Sequence, residues 1–411
     1  MQEQILIIAV KKQNQTDEHF ESSLNELSSL CNTAGGTVKK IVTQKRNRIH
    51  PATYIGEGKI EEIKLEVEQL EIDLVISNDE LSASQSRNLS EELGVPLIDR
   101  SQLILDIFAM RAKTKEGKLQ VELAQLEYLL PRLHGQGAQM SRLGAGIGTR
   151  GPGETKLETD QRHIRRRIYD IQRRFKVVVS QREQYRKRRK TNQAFQFAIV
   201  GYTNAGKSTL FNRITKEQSL EEDQLFATLD PLTRHFQLPC GFQALLTDTV
   251  GFLQDLPTAL IAAFRSTLEE VTEADFILHV VDGSHPDKEQ HQETVNKLLQ
   301  DLNATSIPML TIYNKKDKID AEFIPNNRPY IVISAFDKED LTKLYTKIES
   351  LLESEWDWYS TMLDPNEGKM INRLAHETIM KKREFNEDLD QYLVNGFIKQ
   401  DHPIQNMLKE Q

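Results

Sequence analysis

Cysteine is scarce in this chain of 411 residues: only Cys31 and Cys240 are present, far apart in the sequence. Two isolated thiols exclude a disulfide framework and a cysteine-rich zinc site, so each is predicted to be an ordinary core or surface thiol. Long apolar runs are also missing, because no stretch approaches the roughly 20 apolar residues that span a bilayer. The first residues lack the basic leader of a secretory signal, and residues 5–8 are predicted to form a β-strand. These absences predict a soluble intracellular protein without a membrane span.

The chain has fewer positively than negatively charged residues, with 53 Lys and Arg against 61 Asp and Glu and a net charge of −8. It is nevertheless concentrated locally, because residues 156–190 contain 14 Lys or Arg and only 4 Asp or Glu. A basic rod is therefore expected in an otherwise acidic protein. Such a run is typical of either an RNA-binding surface or a solvated helix face, and charge alone does not separate these two interpretations.

The length predicts two to four domains. The first hundred residues alternate apolar runs with polar segments of helical spacing, which predicts a small α/β domain. Its predicted strands are residues 5–10, 38–42, 74–77 and 96–98, and its predicted crossover helices are residues 58–70 and 84–93. No catalytic spacing is evident in this part of the chain, so we expect a scaffold or docking surface.

Two segments with heptad spacing come next. Their apolar residues recur at alternating steps of four and three, namely Leu119, Leu123, Leu126, Leu130 and Leu133, then Ile164, Ile168, Ile171, Phe175 and Val178. Such seams face a partner helix, so an antiparallel helical hairpin is predicted, with Pro131 kinking or ending its first helix. The glycine-rich residues 135–153, which include Arg142 and Arg150, lie between the two segments and are expected to form an irregular tip.

A second, longer α/β alternation runs from residue 195 to about residue 353. Near-continuous apolar runs predict buried strands of a mostly parallel sheet at residues 195–200, 235–238, 244–247, 276–281, 309–313 and 330–333. The tail is predicted to be a small α+β domain, with a helix over residues 370–382 and a strand over residues 392–398. The chain is therefore predicted to be a multidomain α/β protein.

A glycine-rich loop follows the first strand of this second region and precedes a helix-forming run. Its residues are Gly201, Tyr202, Thr203, Asn204, Ala205, Gly206, Lys207 and Ser208, followed directly by Thr209. This pattern between a strand and a helix predicts a phosphate-binding loop, in which backbone N–H groups surround the β-phosphate. Lys207 adds charge at the β and γ oxygens, and Ser208 can ligate Mg²⁺.

Two further segments complete the predicted Mg²⁺ and γ-phosphate site. One predicted strand ends in Asp248, Thr249, Val250 and Gly251, where the Asp248 carboxylate can hold Mg²⁺ through a water and the Gly251 N–H can reach the γ-phosphate. The loop residues Phe226, Ala227 and Thr228 lie between the two motifs, and the Thr228 hydroxyl is predicted to close on Mg²⁺ when the γ-phosphate is present. Thr233 is the competing candidate for that role. The predicted catalytic residues are Lys207, Thr228 and Gly251.

The identity of the base is predicted from Asn314, Lys315, Lys316 and Asp317, which follow another apolar strand. A carboxylate at Asp317 can accept hydrogen bonds from guanine N1–H and N2–H₂, and adenine offers no equivalent pair, so ATP would leave polar groups unpaired. Ser334 and Ala335, after the last strand, can offer a backbone N–H to guanine O6. The sequence therefore predicts a GTPase.

Two residues bear on the rate of hydrolysis. Phe252 follows Gly251 where Ras-like enzymes have a glutamine that orients water, which predicts slow intrinsic hydrolysis; alternatively, Phe252 packs under the switch and another group positions the water. Asn204 resembles the asparagine that coordinates K⁺ in some GTPases of this class, so a K⁺ ion is a second candidate cofactor.

At this point the sequence resembles the HflX-type GTPases, in the Obg-like branch of translation-factor-related GTPases. The resemblance is carried by the segment GPGETKLETD at residues 151–160, by Arg165, Arg166, Arg167 and Ile168, and by the nucleotide motifs. It implies an N-terminal α/β subdomain over residues 1–112, a helical hairpin over 113–191, a GTPase domain over 192–354 and a small C-terminal domain over 355–411.

The resemblance also implies a function. The family binds the large ribosomal subunit and, in its GTP state, splits stalled or idle ribosomes, with hydrolysis resetting the factor. Arg142, Arg150, Arg165 and Arg166 are the expected rRNA contacts, since a basic rod suits RNA phosphates. The expected protein is a cytoplasmic, ribosome-associated GTPase that binds GTP, GDP and Mg²⁺ and is a monomer off the ribosome.

Two other interpretations stay open at this point. The glycines of residues 144–148 could approach the phosphates of a second nucleotide and support ATP-linked RNA remodelling, although no strand precedes them and no Lys-Ser follows. Alternatively, the GTP state recruits a protein partner, with the N-terminal domain and the hairpin acting as an adaptor.

Overall fold

The structure is a computed structural model that describes residues 2–133, 156–191, 194–216, 225–226, 228–253, 268, 270–319, 323–400 and 402–409. Contacts divide the chain into two compact units. The first comprises residues 1–184, 222–230 and 253–266, and the second comprises residues 185–221, 231–252 and 267–411. Among the described helices, none combines the length and apolar character needed to cross a bilayer.

The first unit begins with a four-stranded parallel sheet of order β2-β1-β3-β4. Its elements are β1 (Gln4–Lys11), α1 (Asp17–Thr33), β2 (Thr37–Lys45), α2 (Glu57–Gln69), β3 (Leu74–Ser77), α3 (Ala83–Leu93) and β4 (Leu97–Asp99). Every residue of β1 between its ends is buried, as its apolar run predicts. Helix α3 begins with a capping box, in which the Ser82 side chain and Gln85 satisfy each other's backbone N–H groups.

Three further helices belong mainly to the first unit: α4 (Arg100–Arg111), α5 (Lys115–Arg132) and α6 (Lys156–Thr191). Pro131 lies in the last turn of α5, so the prediction of an early end there agrees with the structure. Arg167 of α6 donates two hydrogen bonds to the Glu122 carboxylate of α5, at 2.6 and 2.9 Å. Along α6 the predicted seam is the less exposed stripe, and Ile171 is fully buried. The predicted tip, residues 135–153, lies outside the described residues.

The second unit contains a six-stranded sheet of order β10-β9-β8-β5-β7-β6. Its elements are β5 (Phe195–Gly201), α7 (Lys207–Thr215), β6 (Leu232–Gln237), β7 (Gln243–Asp248), β8 (Phe276–Asp282), α8 (Lys288–Asp301), β9 (Met309–Asn314), β10 (Tyr330–Val332) and α9 (Lys338–Glu355). All strand pairs are parallel except β6 with β7, which is antiparallel. The mostly parallel sheet of the predicted GTPase domain is therefore confirmed.

The same unit ends in a three-stranded antiparallel sheet of order β11-β13-β12. Its elements are β11 (Asp357–Leu363), α10 (Gly368–Glu377), β12 (Ile379–Asn386), β13 (Gln391–Ile398) and α11 (Pro403–Lys409). The predicted helix over residues 370–382 was wrong in its second half, because the helix ends at Glu377 and β12 begins at Ile379. Pairing of β12 with β13 takes up that segment, and such a non-local interaction overrides local helical spacing.

Both cysteines are free thiols, as predicted: Cys31 is buried and Cys240 is half-buried. Burial raises the pKa of each thiol to about 12, so both are protonated at neutral pH. The division of the chain into four domains remains a prediction.

Candidate nucleotide site

The predicted phosphate loop joins β5 to α7 at the carboxyl edge of the six-stranded sheet, the edge at which open α/β sheets bind ligands. Gly206 has a φ of +90° and Asn204 a φ of +59°, both in the left-handed region. The loop is tied to the segment after β7, because Thr203 N donates to Phe252 O at 2.8 Å and Phe252 N donates to Gly201 O at 3.2 Å. The loop and the segment that contains Gly251 therefore form one frame.

Lys207 lies at the centre of this frame. Its Nζ atom donates to Tyr202 O at 2.6 Å, and a Cβ atom added to Gly251 would lie 3.0 Å from it. The side chain is buried, which lowers its pKa to about 8 although the nearby Asp248 acts in the opposite direction. Such a desolvated cation next to backbone N–H groups is a binding position for phosphate oxygens.

Ser208 and Asp248 are brought together as the sequence predicts, because the Ser208 hydroxyl donates to Asp248 Oδ2 at 3.0 Å. Asp248 is 2% exposed at the end of β7. A hydroxyl and a carboxylate are the oxygen ligands that Mg²⁺ prefers, and one or two protein oxygens together with substrate phosphates suffice for it. This pair therefore fits Mg²⁺, and no group of three or more potential metal ligands occurs elsewhere among the described residues.

The side chains of Thr249, Val250 and Phe252 are held by contacts within the protein at this edge of the sheet. The Thr249 hydroxyl donates to Ile199 O at 2.7 Å, and Val250 is buried. The Phe252 ring is 2% exposed and packs in an apolar cluster with Val200 and Val271. This position matches the alternative in which Phe252 is a packing residue rather than a substitute for the water-orienting glutamine.

Asn314 connects the phosphate loop to the predicted base-reading loops. It is buried at the end of β9, its Nδ2 atom donates to Ala205 O at 3.0 Å, and its Oδ1 atom accepts from Ala335 N at 3.0 Å. A Cβ atom at Gly206 would lie 2.2 Å from Asn314 Nδ2, so only glycine allows this approach. Three separate motifs of the sequence thus meet at one side chain.

The Asp317 carboxylate is exposed, and its Oδ1 atom accepts from the Ser334 hydroxyl at 2.9 Å. Lys315 has a φ of +62°, and its ammonium group lies 2.7 Å from Asp282 Oδ2. Burial acts to raise the pKa of Asp282, but hydrogen bonds from Lys315 and Ser284 outweigh it and lower that pKa. The loop of residues 314–317 and the loop that contains Ser334 can therefore present the Asp317 carboxylate to a base.

Asp340 supports this arrangement. It was not among the predicted residues, because it lies within α9 rather than in a motif. Its Oδ2 atom accepts from Ser334 N at 3.0 Å, and its Oδ1 atom accepts from Lys316 Nζ at 2.9 Å. Burial acts to raise its pKa, but the Ser334 N–H, Lys316 and Lys343 together lower it, so the group is a carboxylate at neutral pH.

Two histidines near the phosphate loop were also missed. His279 of β8 is buried, and burial together with the charge of Lys207 lowers its pKa to about 4. His291 of α8 stacks on Tyr202 with ring centroids 3.7 Å apart, and burial lowers its pKa to about 4. Both rings are therefore neutral at physiological pH. Neither histidine is close to a motif in sequence, so only the folded structure shows that both lie near the phosphate loop.

The remaining predicted residues make fewer of these contacts. Asn204 is exposed, and Thr209 is half-buried in the first turn of α7. Phe226 and Thr228 belong to the first unit, whereas the phosphate loop belongs to the second. Thr233, the alternative switch residue, shares a hydrogen bond with Thr247 at 2.9 Å within the β6–β7 pair. Ala227, Arg142, Arg150 and the glycines of residues 144–148 lie outside the described residues, and Arg165 and Arg166 are exposed on α6.

A cavity of about 920 Å³ occurs at the opposite edge of the six-stranded sheet, lined by residues that include Phe195, Trp356 and Arg373. It is remote from the phosphate loop along β5, because Phe195 begins that strand and Gly201 ends it. The predicted nucleotide residues lie instead at the carboxyl edge, where the loops of several parallel strands converge, and their role stays a prediction.

Comparison with known proteins matches three parts of the chain to described families. Residues 21–109 match a family described as GTP-binding GTPase N-terminal, residues 111–189 match the GTP-binding GTPase middle region, and residues 196–315 match the 50S ribosome-binding GTPase family. A solved structure described as a complex of SsGBP with GDP has 25% sequence identity and a TM-score of 0.49, and covers 85% of this chain and 98% of that one.

Two relatives are similar over most of their length. The GTPase HflX of Alkalihalophilus pseudofirmus is 56% identical over 398 residues, which cover 97% of this chain and 94% of the relative. The GTPase HflX of Caldanaerobacter subterraneus is 51% identical over 367 residues, which cover 89% of this chain and 86% of the relative. These matches show that the chain belongs to the HflX family of GTPases and hydrolyses GTP.

Proposed function

We propose that this GTPase binds the large ribosomal subunit through rRNA and, with GTP bound, separates stalled or idle ribosomes in the cytoplasm. The observation that carries the proposal is the basic face of α6, on which Arg165, Arg166, Arg173, Arg174 and Lys176 are all exposed. It lies in the middle-region match, and the next match of the chain is to the 50S ribosome-binding GTPase family. An exposed row of guanidinium groups suits RNA phosphates.

Arg167 has a different role from its neighbours on α6. It pairs with Glu122 of α5, so its charge contributes to holding the helices together. Its neighbours Arg165 and Arg166 point their charge to solvent, where it is available to a phosphate backbone. The exposed charge of α6, taken together with the middle-region and 50S ribosome-binding family matches, is why we favour RNA binding over a solvated face.

The nucleotide chemistry follows from the residues at the carboxyl edge. Lys207 and the loop N–H groups bind the β and γ phosphates, Asp317 reads guanine, and Ser208 with Asp248 holds Mg²⁺. When bound, Mg²⁺ neutralises charge that develops between the β- and γ-phosphates. Thr228 would be a further ligand of that ion in the GTP state, and the Gly251 N–H would contact the γ-phosphate. Hydrolysis removes both contacts and resets the factor, which is a monomer when it leaves the ribosome.

Asn204 supports a further ion in this scheme. Its left-handed backbone places an exposed amide beside the phosphate loop, where a K⁺ ion would supply the charge that an arginine supplies in other GTPases. Turnover is then expected to be faster in K⁺ than in Na⁺ buffer at equal ionic strength. Equal rates in the two buffers would remove K⁺ from the mechanism.

Sedimentation with purified ribosomes tests the proposal. The wild-type protein with a non-hydrolysable GTP analogue is expected to co-sediment with large subunits and to convert whole ribosomes to subunits, whereas the GDP form is not. The double variant Arg165→Glu, Arg166→Glu is expected to bind more weakly. If the two arginines contact two phosphates, the slope of log affinity against log salt falls by about 1.4 to 1.8.

The matched control is Lys39→Glu, Lys45→Glu, which changes the net charge equally at two exposed positions of β2. It is expected to keep the wild-type salt dependence and splitting activity. Equal splitting by the GDP form, or equal loss in both double variants, would contradict the proposal. Failure to co-sediment in any nucleotide state would instead favour a GTP-regulated protein adaptor.

A further inference from the structure

Residues on both sides of Thr228 make their described contacts within the first unit. Asp230 lies beside the start of α5, where its Oδ2 atom accepts hydrogen bonds from Lys113 N at 3.0 Å and Thr114 N at 2.9 Å. Its Oδ1 atom accepts the Thr114 hydroxyl, which itself caps α5 by accepting Gly117 N at 2.9 Å. Asp230 thus holds the capping residue of α5 in place, at the helix end where a carboxylate is most favourable.

Phe226 is a second anchor, two residues before Thr228. Its ring is 2% exposed and meets Phe108 of α4 edge-on, with ring centroids 4.5 Å apart. Leu229 is also buried, at 3% exposure. The segment is therefore attached to the first unit by an aromatic contact on one side of Thr228 and by a carboxylate on the other.

The glycine at position 117 is a second sign that α5 accommodates the Asp230 side chain. Glycine inside a helix lowers its stability relative to alanine, yet Gly117 lies in the first turn of α5. A Cβ atom at this position would lie 2.3 Å from Asp230 Oδ1 and 3.2 Å from Thr114 Oγ1. The missing methyl group is what allows the carboxylate to approach the helix.

These anchors restrict where Thr228 can be. A chain spans at most about 3.6 Å per residue, so two residues keep Thr228 within about 7 Å of each anchor. As long as both contacts hold, the position of Thr228 follows α4 and α5 of the first unit. Pro231, the next residue after Asp230, already belongs to the second unit.

We propose that Asp230 is a positioning residue for GTP hydrolysis: it fixes the Thr228 segment to the start of α5, and so couples the nucleotide state to the first turn of that helix. The inference rests on the proposed role of Thr228 at Mg²⁺. Recruitment of Thr228 by Mg²⁺ and the γ-phosphate acts on Asp230 through two residues of chain, and the hydrogen bonds of Lys113 N and Thr114 N change with it.

Amide hydrogen exchange of the full-length protein tests this coupling without ribosomes, so its failure is distinguishable from a failure of ribosome splitting. In the wild type, exchange of residues 113–117 is expected to differ at least threefold between the Mg²⁺·GDP form and the form bound to a non-hydrolysable GTP analogue. Asp230→Asn removes the carboxylate charge and replaces one of its two acceptor oxygens with an NH₂ group, so the three hydrogen bonds cannot all be kept. It is expected to remove the difference while GDP affinity stays within threefold of wild type.

Gly117→Ala separates positioning from a purely structural role. Alanine raises the helix propensity of α5, yet its methyl group displaces the Asp230 carboxylate, so this variant is also expected to lose the nucleotide-dependent exchange. Both variants are expected to hydrolyse GTP in a single turnover at least tenfold more slowly, with little change in KM. Thr114→Ser keeps the hydroxyl and is expected to behave as wild type.

Thr16→Ala is the matched control, because Thr16 caps α1 of the same unit by accepting His19 N, remote in sequence from Thr228. It is expected to keep both the exchange difference at residues 113–117 and the wild-type rate. The proposal is overturned by equal exchange of those residues in the two nucleotide-bound forms of the wild type. It is also overturned if Asp230→Asn and Gly117→Ala retain the difference.

Discussion

Replacing Asn314 with alanine probes the connection between the phosphate loop and the base-reading loops. The substitution deletes the hydrogen bond to Ala205 O and the one from Ala335 N, both at 3.0 Å. Because Asn314 is 3% exposed, both backbone partners are left without an acceptor or donor in a site that has little access to water. We expect the loops to lose their relative placement and nucleotide affinity to fall.

The magnitude follows from the two bonds. An unsatisfied buried backbone group costs about 1 to 3 kcal/mol, and we take the low end for each because loops that relax after the substitution recover part of the lost hydrogen bonding. The total is about 2 to 3 kcal/mol, which corresponds to an increase of about 30- to 150-fold in the Kd for GDP. Titration of a fluorescent GDP analogue at fixed Mg²⁺ measures this change.

Asn78→Ala is the matched control, since Asn78 also makes side-chain hydrogen bonds, to Ser23 and Arg100, but within the N-terminal sheet region. It is expected to keep the wild-type Kd while lowering the stability of the first unit. An Asn314→Ala protein that binds GDP within threefold of wild type would refute the reasoning, because the two loops would then be placed without their shared side chain.

Two further predictions concern charge at the site. The pKa of Lys207 is lowered from 10.5 to about 8 in the folded state, so charged Lys207 destabilises the nucleotide-free protein below pH 8, and its contribution to the unfolding free energy rises between about pH 8 and 10.5, against the opposite contribution of the two buried thiols. Lys207→Met should lack that rise in chemical denaturation and should not bind GTP; an unchanged rise would contradict the assignment. Asp340→Asn is expected to weaken GDP binding about tenfold, since the Ser334 N–H and Lys316 lose a charged acceptor. Asp301→Asn, at an exposed position of α8, serves as its control, and equal affinities in the two variants would show that Asp340 does not position the base loops.

Much of the fold could be predicted because buried parallel strands have a distinctive sequence. The runs that form β1, β5, β8 and β9 are apolar on both faces, and the structure confirms them to within a residue or two at each end. Strand β6 was less clear, since it lies at the sheet edge and most of its side chains are only partly buried. Its start at Leu232, three residues before the prediction, is determined by pairing with β7.

The residues of the candidate site also divide into those that the sequence predicts and those that it does not. Motif residues such as Lys207, Ser208 and Asn314 could be predicted because phosphate and base chemistry require specific groups at fixed spacing. Asp340, His279 and the anchor Asp230 could not be assigned, because their partners are distant in sequence and each is an ordinary residue locally. The contact between Asp230 and the start of α5 joins residues more than 110 positions apart, which no local pattern encodes.

Helix α6 has a mechanical consequence. Its 36 residues, at a rise of about 1.5 Å each, make a rod about 54 Å long. A tilt of about 10° at one end of such a rod displaces the other end by about 9 Å, by the same helix geometry. The length of α6 therefore converts a small change in its angle into a displacement of several ångströms at its far end.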